Sequence, residues 1–105
     1  MKQISVQELK NMKDSAEDFQ LIDVREEYEY DTCHLNGTLI PMGEVLNHLD
    51  KISRDKKVVV HCRSGKRSAT VIHALETQHG FDNLYNLEGG IMAWADQIDP
   101  SMPKY

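Results

Sequence analysis

An α/β fold built on a parallel sheet is what this sequence predicts, and three observations carry that expectation. Short apolar extended runs alternate along the chain with segments of helical period, as in a strand–helix–strand chain. Strands separated by helices cannot pair as hairpins, so they lie parallel and are joined by right-handed crossovers that set helices on both faces. The 105 residues suffice for one domain, taken here as 1–105, and no internal period or linker interrupts them. Four or five strands fit.

In chain order, Ser5-Val6-Gln7-Glu8 has capping-box spacing after Ile4, so a short helix is expected to run to about Met12. Phe19–Val24 reads as a buried strand, and Glu26–Tyr30 as a turn of helix. Leu39-Ile40 reads as a short strand, and Gly43–Ile52 as a helix turning Val45, Leu46 and Leu49 inward. Lys57–His61 is a buried strand. Ser64–Gln78 is a longer helix that uses Ala69, Ile72 and Leu75 and is stopped by Gly80. Asn83–Leu87 is the last strand, and Gly90–Ile98 the last helix, with Ile91, Trp94 and Ile98 at spacings of three and four.

Twelve basic against 17 acidic residues give a formal charge of −5, a poor match for a phosphate backbone, so nucleic acid is not expected as a partner. Apolar stretches such as Val58-Val59-Val60 fall far short of the ~20 residues that cross a bilayer. The first 14 residues carry no apolar segment behind their lysine. A cytoplasmic monomer without membrane contact is the expectation. The two cysteines, with 28 residues between them, make neither a disulfide framework nor a zinc pattern, so reduced thiols are expected, with no metal or organic cofactor.

In open parallel sheets the working residues collect at the carboxyl ends of the strands. There Val58-Val59-Val60-His61 delivers Cys62, and Arg63-Ser64-Gly65-Lys66-Arg67 leads into a helix. A thiol at that junction faces free backbone N–H groups and the positive end of the helix dipole, which favour the nucleophilic thiolate. Gly65 lets successive N–H groups converge as an anion-binding nest. Removing Arg63, Lys66 and Arg67 from the basic residues leaves nine against 17 acidic ones, a net −8, so this loop is a cationic exception. The structural alternative is a buried core cysteine beside a solvated basic helix face.

Three segments in order resemble the rhodanese homology domain in its single-domain sulfurtransferase form. They are Leu21-Ile22-Asp23-Val24-Arg25-Glu26-x-x-Glu29-Tyr30, His61-Cys62-Arg63-Ser64-Gly65-Lys66-Arg67-Ser68-Ala69, and Leu87-Glu88-Gly89-Gly90-Ile91-x-Ala93-Trp94. The resemblance implies a three-layer α/β/α sandwich around a five-stranded parallel sheet. It also implies a Cys62 that takes sulfane sulfur as a persulfide, from thiosulfate or a protein persulfide donor, and passes it to cyanide, a thiol or a protein acceptor. Arg63, Ser64, Gly65, Lys66 and Arg67 would form the substrate-binding loop, with Arg67 closing the anion cradle. A cysteine phosphatase or arsenate reductase is the competing enzyme class. Those enzymes place five residues between Cys and Arg, whereas four separate Cys62 from Arg67 here. A non-catalytic interaction module is the third class, against which the intact cysteine and basic loop count.

Asp23 is expected to take a loop N–H or a cation and Arg25 to pair with Glu29, both supporting the loop from behind. Glu29 stands where some two-domain members of the family carry a basic residue, which gives weight to a protein or low-molecular-weight persulfide donor. Gly89-Gly90 would bring backbone close to the loop, and Ile91 and Trp94 read as core. Strand alternation turns His61 away from the Cys62 side. Cys33, where the family usually has Gly, reads as a loop substitution, with a resolving thiol for Cys62 as the alternative.

Overall fold

A computed structural model describes residues 1–103. Five strands, β1 (Gln3–Ile4), β2 (Gln20–Asp23), β3 (Thr38–Leu39), β4 (Val58–His61) and β5 (Leu84–Leu87), form one sheet in the order β1-β5-β4-β2-β3. Every neighbouring pair is parallel, with Asp23 beside His61 and Val60 beside Asn86. The helices are α1 (Val6–Asp14), α2 (Glu27–Thr32), α3 (Lys66–His79) and α4 (Gly90–Gln97). The expected three-layer sandwich around five parallel strands is therefore the observed one.

Alternation along β4 divides the core. Val58 and Val60 face one layer with Ile22, Val45, Ile52, Ile72 and Leu75, while Val59 faces the other with Leu9, Leu87, Ile91 and Trp94. Each fully buried aliphatic side chain contributes about 1.5–3 kcal/mol relative to exposure, so this two-sided burial holds the sheet between its layers. The start of α1 is the expected capping box: the Ser5 hydroxyl accepts from Glu8 N–H, and the Glu8 carboxylate accepts from Ser5 N–H, both at 3.1 Å.

Two elements differ from the sequence reading. Gln3–Ile4 pairs with β5 as an edge strand too short to carry a periodic signal. The Gly43–Ile52 segment is not an α-helix but two 3₁₀ turns, Met42–Asn47 and Leu49–Lys51. Val45 and Ile52 are the residues of this segment that reach the core, seven apart, with Leu49 packed at its margin. A 3₁₀ turn rises about 2.0 Å per residue against about 1.5 Å for an α-helix, so the segment is more extended than the expected helix. Leu46, expected inward, is 52% exposed and lines a surface groove with Met42, Thr70 and Ala74.

Candidate active site

The strand-to-helix junction after β4 has the geometry of an anion cradle around one sulfur atom. Cys62 follows the last residue of β4 and is 1% exposed, at the base of a loop that turns into α3. Gly65 adopts φ +103°, a left-handed conformation that suits glycine, and this aims its N–H at Cys62 Sγ, 3.0 Å away. Ser68, in the first turn of α3, places its hydroxyl 3.5 Å from the same sulfur and donates to Asn86 Oδ1 at 2.6 Å. The Asn86 amide in turn donates to the Gly65 carbonyl at 3.2 Å, so β5 fixes the far side of the loop.

The start of α4 holds the loop from a second direction. Ile91 N–H donates to the Cys62 carbonyl at 3.0 Å and Met92 N–H to the Arg63 carbonyl at 3.1 Å. Gly90 lies at φ +61°, and a Cβ there would come within 2.6 Å of the Cys62 and Arg63 carbonyl oxygens. That contact realises the close approach expected of Gly89-Gly90. With the loop carbonyls occupied from outside, its N–H groups are free to point inward at the sulfur.

Burial alone would push the Cys62 thiol up. The Ser68 hydroxyl, together with the backbone N–H groups of Ser68, Gly65 and Ser64, outweighs burial and holds the thiol below its ordinary range. The group is therefore a thiolate more readily than an ordinary cysteine, stabilised by dipoles rather than by a paired cation.

The three loop cations are not equivalent. Arg63 and Lys66 are exposed and make no ion pair among the described residues. Arg67 reaches across to Glu29 in α2 and donates to both carboxylate oxygens, Nη1 to Oε1 at 2.7 Å and Nη2 to Oε2 at 2.9 Å. Each partner favours the charged form of the other: the Arg67 hydrogen bonds hold Glu29 below the usual carboxylate range, and Glu29 raises Arg67 further. Arg67, expected to close the anion cradle, thus has its charge neutralised by Glu29.

Asp23 takes a cation, one of its two expected partners, and that cation is Arg25. Their ion pair is fully buried, with Arg25 Nη2 2.8 Å from Asp23 Oδ2 and a second contact from Nε to Oδ1 at 3.0 Å. Arg25 also donates to the Cys33 carbonyl at 2.7 Å and meets Glu29 only through its backbone carbonyl, at 3.4 Å. The expected Arg25–Glu29 side-chain pair is replaced because Asp23, two residues away, meets the guanidinium in the interior while Glu29 turns to Arg67. The two residues tie β2 to the start and end of α2, the helix that presents Glu29. His61 lies beside Asp23 in the register, its Nε2 3.6 Å from Asp23 Oδ2, and burial holds it below its ordinary pKa.

Cys33 packs in the α1/α4 layer and donates to the Pro103 carbonyl at 3.3 Å, whereas Cys62 belongs to the opposite layer. The sheet stands between the thiols, so Cys33 is not positioned to resolve Cys62. The sequence reading assigned no role to Ser68 or Asn86. A polar residue within the apolar run Leu84–Leu87 was the available signal for Asn86. Ser68 could have been found from its place one helical turn after Gly65. Among the described residues, no group of three or more His, Cys, Asp or Glu is arranged to hold a metal, and no helix is long and apolar enough to cross a membrane.

The sequence profile of the rhodanese-like domain matches residues 5–97. YtwF of Bacillus subtilis, whose given name carries the word sulfurtransferase, is 38% identical over 101 residues, covering 95% of this chain and 96% of its own length. MoeZ of Mycobacterium tuberculosis, named as an adenylyltransferase/sulfurtransferase, is 36% identical over 105 residues, and the match spans 97% of this chain but only 26% of that longer protein. Among solved structures, the rhodanese-like domain protein of Staphylococcus aureus superposes with a TM-score of 0.83 at 33% identity, covering 100% of this chain and 99% of the other.

Proposed function

This chain belongs to the rhodanese-like domain family, and from that premise we propose that it is a sulfurtransferase carrying sulfane sulfur on Cys62 as a persulfide. A sulfurtransferase of some kind is what the family and the sulfurtransferase-named relatives support. The observation that carries the finer reading is the Cys62 sulfur itself, 3.0 Å from Gly65 N–H and 3.5 Å from the Ser68 hydroxyl, with its thiolate favoured.

The reaction has two halves. With thiosulfate as donor, the Cys62 thiolate attacks the outer sulfur; the Sγ–S bond forms as the S–S bond to the sulfonate breaks, and sulfite leaves with that bond's electron pair. The product is a Cys62 persulfide whose terminal anion remains beside the inward N–H groups. In the second half a thiophilic acceptor attacks the terminal sulfur and the Cys62 thiolate leaves; cyanide gives thiocyanate. A protein or small-molecule persulfide can take the place of thiosulfate, and a thiol or a sulfur-carrying protein that of cyanide. YrkF of Bacillus subtilis, 31% identical and named as a sulfur carrier protein, gives the protein acceptor weight.

Intact mass after incubation with thiosulfate tests the reading. One added sulfur, about 32 Da by atomic mass, is expected on the wild-type chain and none on Cys62→Ser, because a serine hydroxyl without a base is a far weaker nucleophile. Cys62→Ser should also lose essentially all transfer to cyanide while keeping its circular dichroism. Sulfur transfer retained by that variant overturns the assignment.

A further inference from the structure

Resting on the sulfur-carrying role of Cys62, we infer that Glu29 is a specificity-determining residue that turns the site away from small dianionic donors and toward persulfides of lower charge. Glu29 is 3% exposed and fixed from two sides: Arg67 holds both of its oxygens, and Glu26 N–H donates to Oε1 at 2.9 Å. Arg67 sits five residues beyond Cys62 in the first turn of α3, with its side chain 33% exposed, and its charge interacts with that of Cys62. A lone guanidinium there would draw anions to the sulfur; joined to Glu29, the pair carries no net charge. Arg63 and Lys66 remain, but in water, where salt screens them.

Donor charge decides what this neutrality costs. Thiosulfate brings two negative charges to a thiolate and sulfite takes two away, whereas a persulfide R–S–SH brings none or, ionised, one. In the persulfide reaction the Sγ–S bond forms as the R–S–SH bond breaks. The electron pair leaves on R–S⁻, and the proton stays on the transferred sulfur. The energy of a charge at the rim scales with the donor's charge. Changing the rim by one unit therefore moves thiosulfate more than a persulfide.

The test is the ratio of kcat/KM for sulfur loading of Cys62 from thiosulfate to that from cysteine persulfide, whose ammonium and carboxylate cancel, in a charge series on the full chain. Glu29→Gln leaves the pair at +1 and should raise the ratio about tenfold; Arg67→Gln leaves it at −1 and should lower it similarly. The double variant Glu29→Gln with Arg67→Gln restores neutrality, and its ratio should return to within about threefold of wild type, which a purely structural role of Glu29 would not produce. If either single variant does not fold, the remaining one is compared with the double variant, which leaves no buried charge unpaired. A ratio unchanged across the series, or a double variant that keeps the Glu29→Gln ratio, overturns this inference while leaving the sulfur-carrying role intact. A wild-type chain that takes sulfur from neither donor overturns that role and the inference with it.

Discussion

At Ser68 one hydroxyl proton serves two acceptors, Asn86 Oδ1 at 2.6 Å and Cys62 Sγ at 3.5 Å. While the thiol is neutral the shorter contact holds the proton; once Cys62 ionises, the thiolate is the stronger acceptor and the hydroxyl turns toward it. Ser68→Ala removes that option and leaves Asn86 Oδ1 without its donor. The pH midpoint for alkylation of Cys62 by iodoacetamide should then rise by about half a unit to one unit, with sulfur transfer at neutral pH falling in step. An unshifted midpoint would mean that the backbone N–H groups hold the thiolate unaided. The buried Asp23–Arg25 pair works differently. Breaking it by Arg25→Met leaves a desolvated carboxylate and should cost about 3–5 kcal/mol of stability, read from urea unfolding.

The loop after β4 is shaped by two elements remote from it in sequence, β5 through Asn86 and α4 through its first residues. The α4 contact leaves no room for a side chain at Gly90, where a Cβ would lie 2.5 Å from the Arg63 carbonyl oxygen and 2.6 Å from that of Cys62. Backbone at φ +61° adds a strain of about 1–2 kcal/mol for any L-residue. Gly90→Ala should therefore displace α4 from the loop, lower the melting temperature and reduce sulfur loading of Cys62 by about tenfold or more, since a displacement of about 1 Å can cost about a hundredfold in rate. Gly65→Ala meets ordinary contacts, 3.7 Å or more, and is strained only through its φ of +103°. It should fold better than Gly90→Ala while still misdirecting the N–H that faces Sγ.

Across the whole molecule three buried groups, Cys62, His61 and Glu29, make stability depend on pH with the same sign. Burial holds His61 below its ordinary value of 6.5, so the unfolded chain binds that proton at higher pH than the folded one. The His61 contribution is full above about 6.5 and declines as the pH falls below it, by at most about 1.4 kcal/mol per unit. Arg67 holds Glu29 below its ordinary value of 4.5, adding a second decline under that pH. Cys62, held below its ordinary value of 9.0, adds a decline of the same sign, so urea midpoints should decrease from pH 9 downward, fall further between 6.5 and 5, and fall more steeply below 4.5. His61→Asn should flatten the middle segment. A midpoint constant down to pH 5 in the wild-type chain would contradict a buried neutral imidazole.

The sequence by itself determined the chain of strands and helices, the Ser5–Glu8 cap, the stop at Gly80, and a nucleophilic Cys62 at a helix start. These follow from local rules, in which side-chain period and backbone conformation depend on residues a few positions apart. The partners of that cysteine were decided by tertiary structure. Ser68 and Asn86 meet only because β5 lies beside β4, 18 residues apart in sequence but 2.6 Å apart in space. Arg67 finds Glu29 across 38 residues, and no spacing rule distinguishes that carboxylate from Asp23 as the partner of Arg25. The same holds for Val45 and Ile52, which reach the core from 3₁₀ turns in a segment with helical spacing. Hydrophobic period fixes which face of an element is buried. Which charge meets which, and whether a cation at the rim is free or neutralised, depends on how distant elements pack, because desolvation and hydrogen bonding are settled only in the assembled interior.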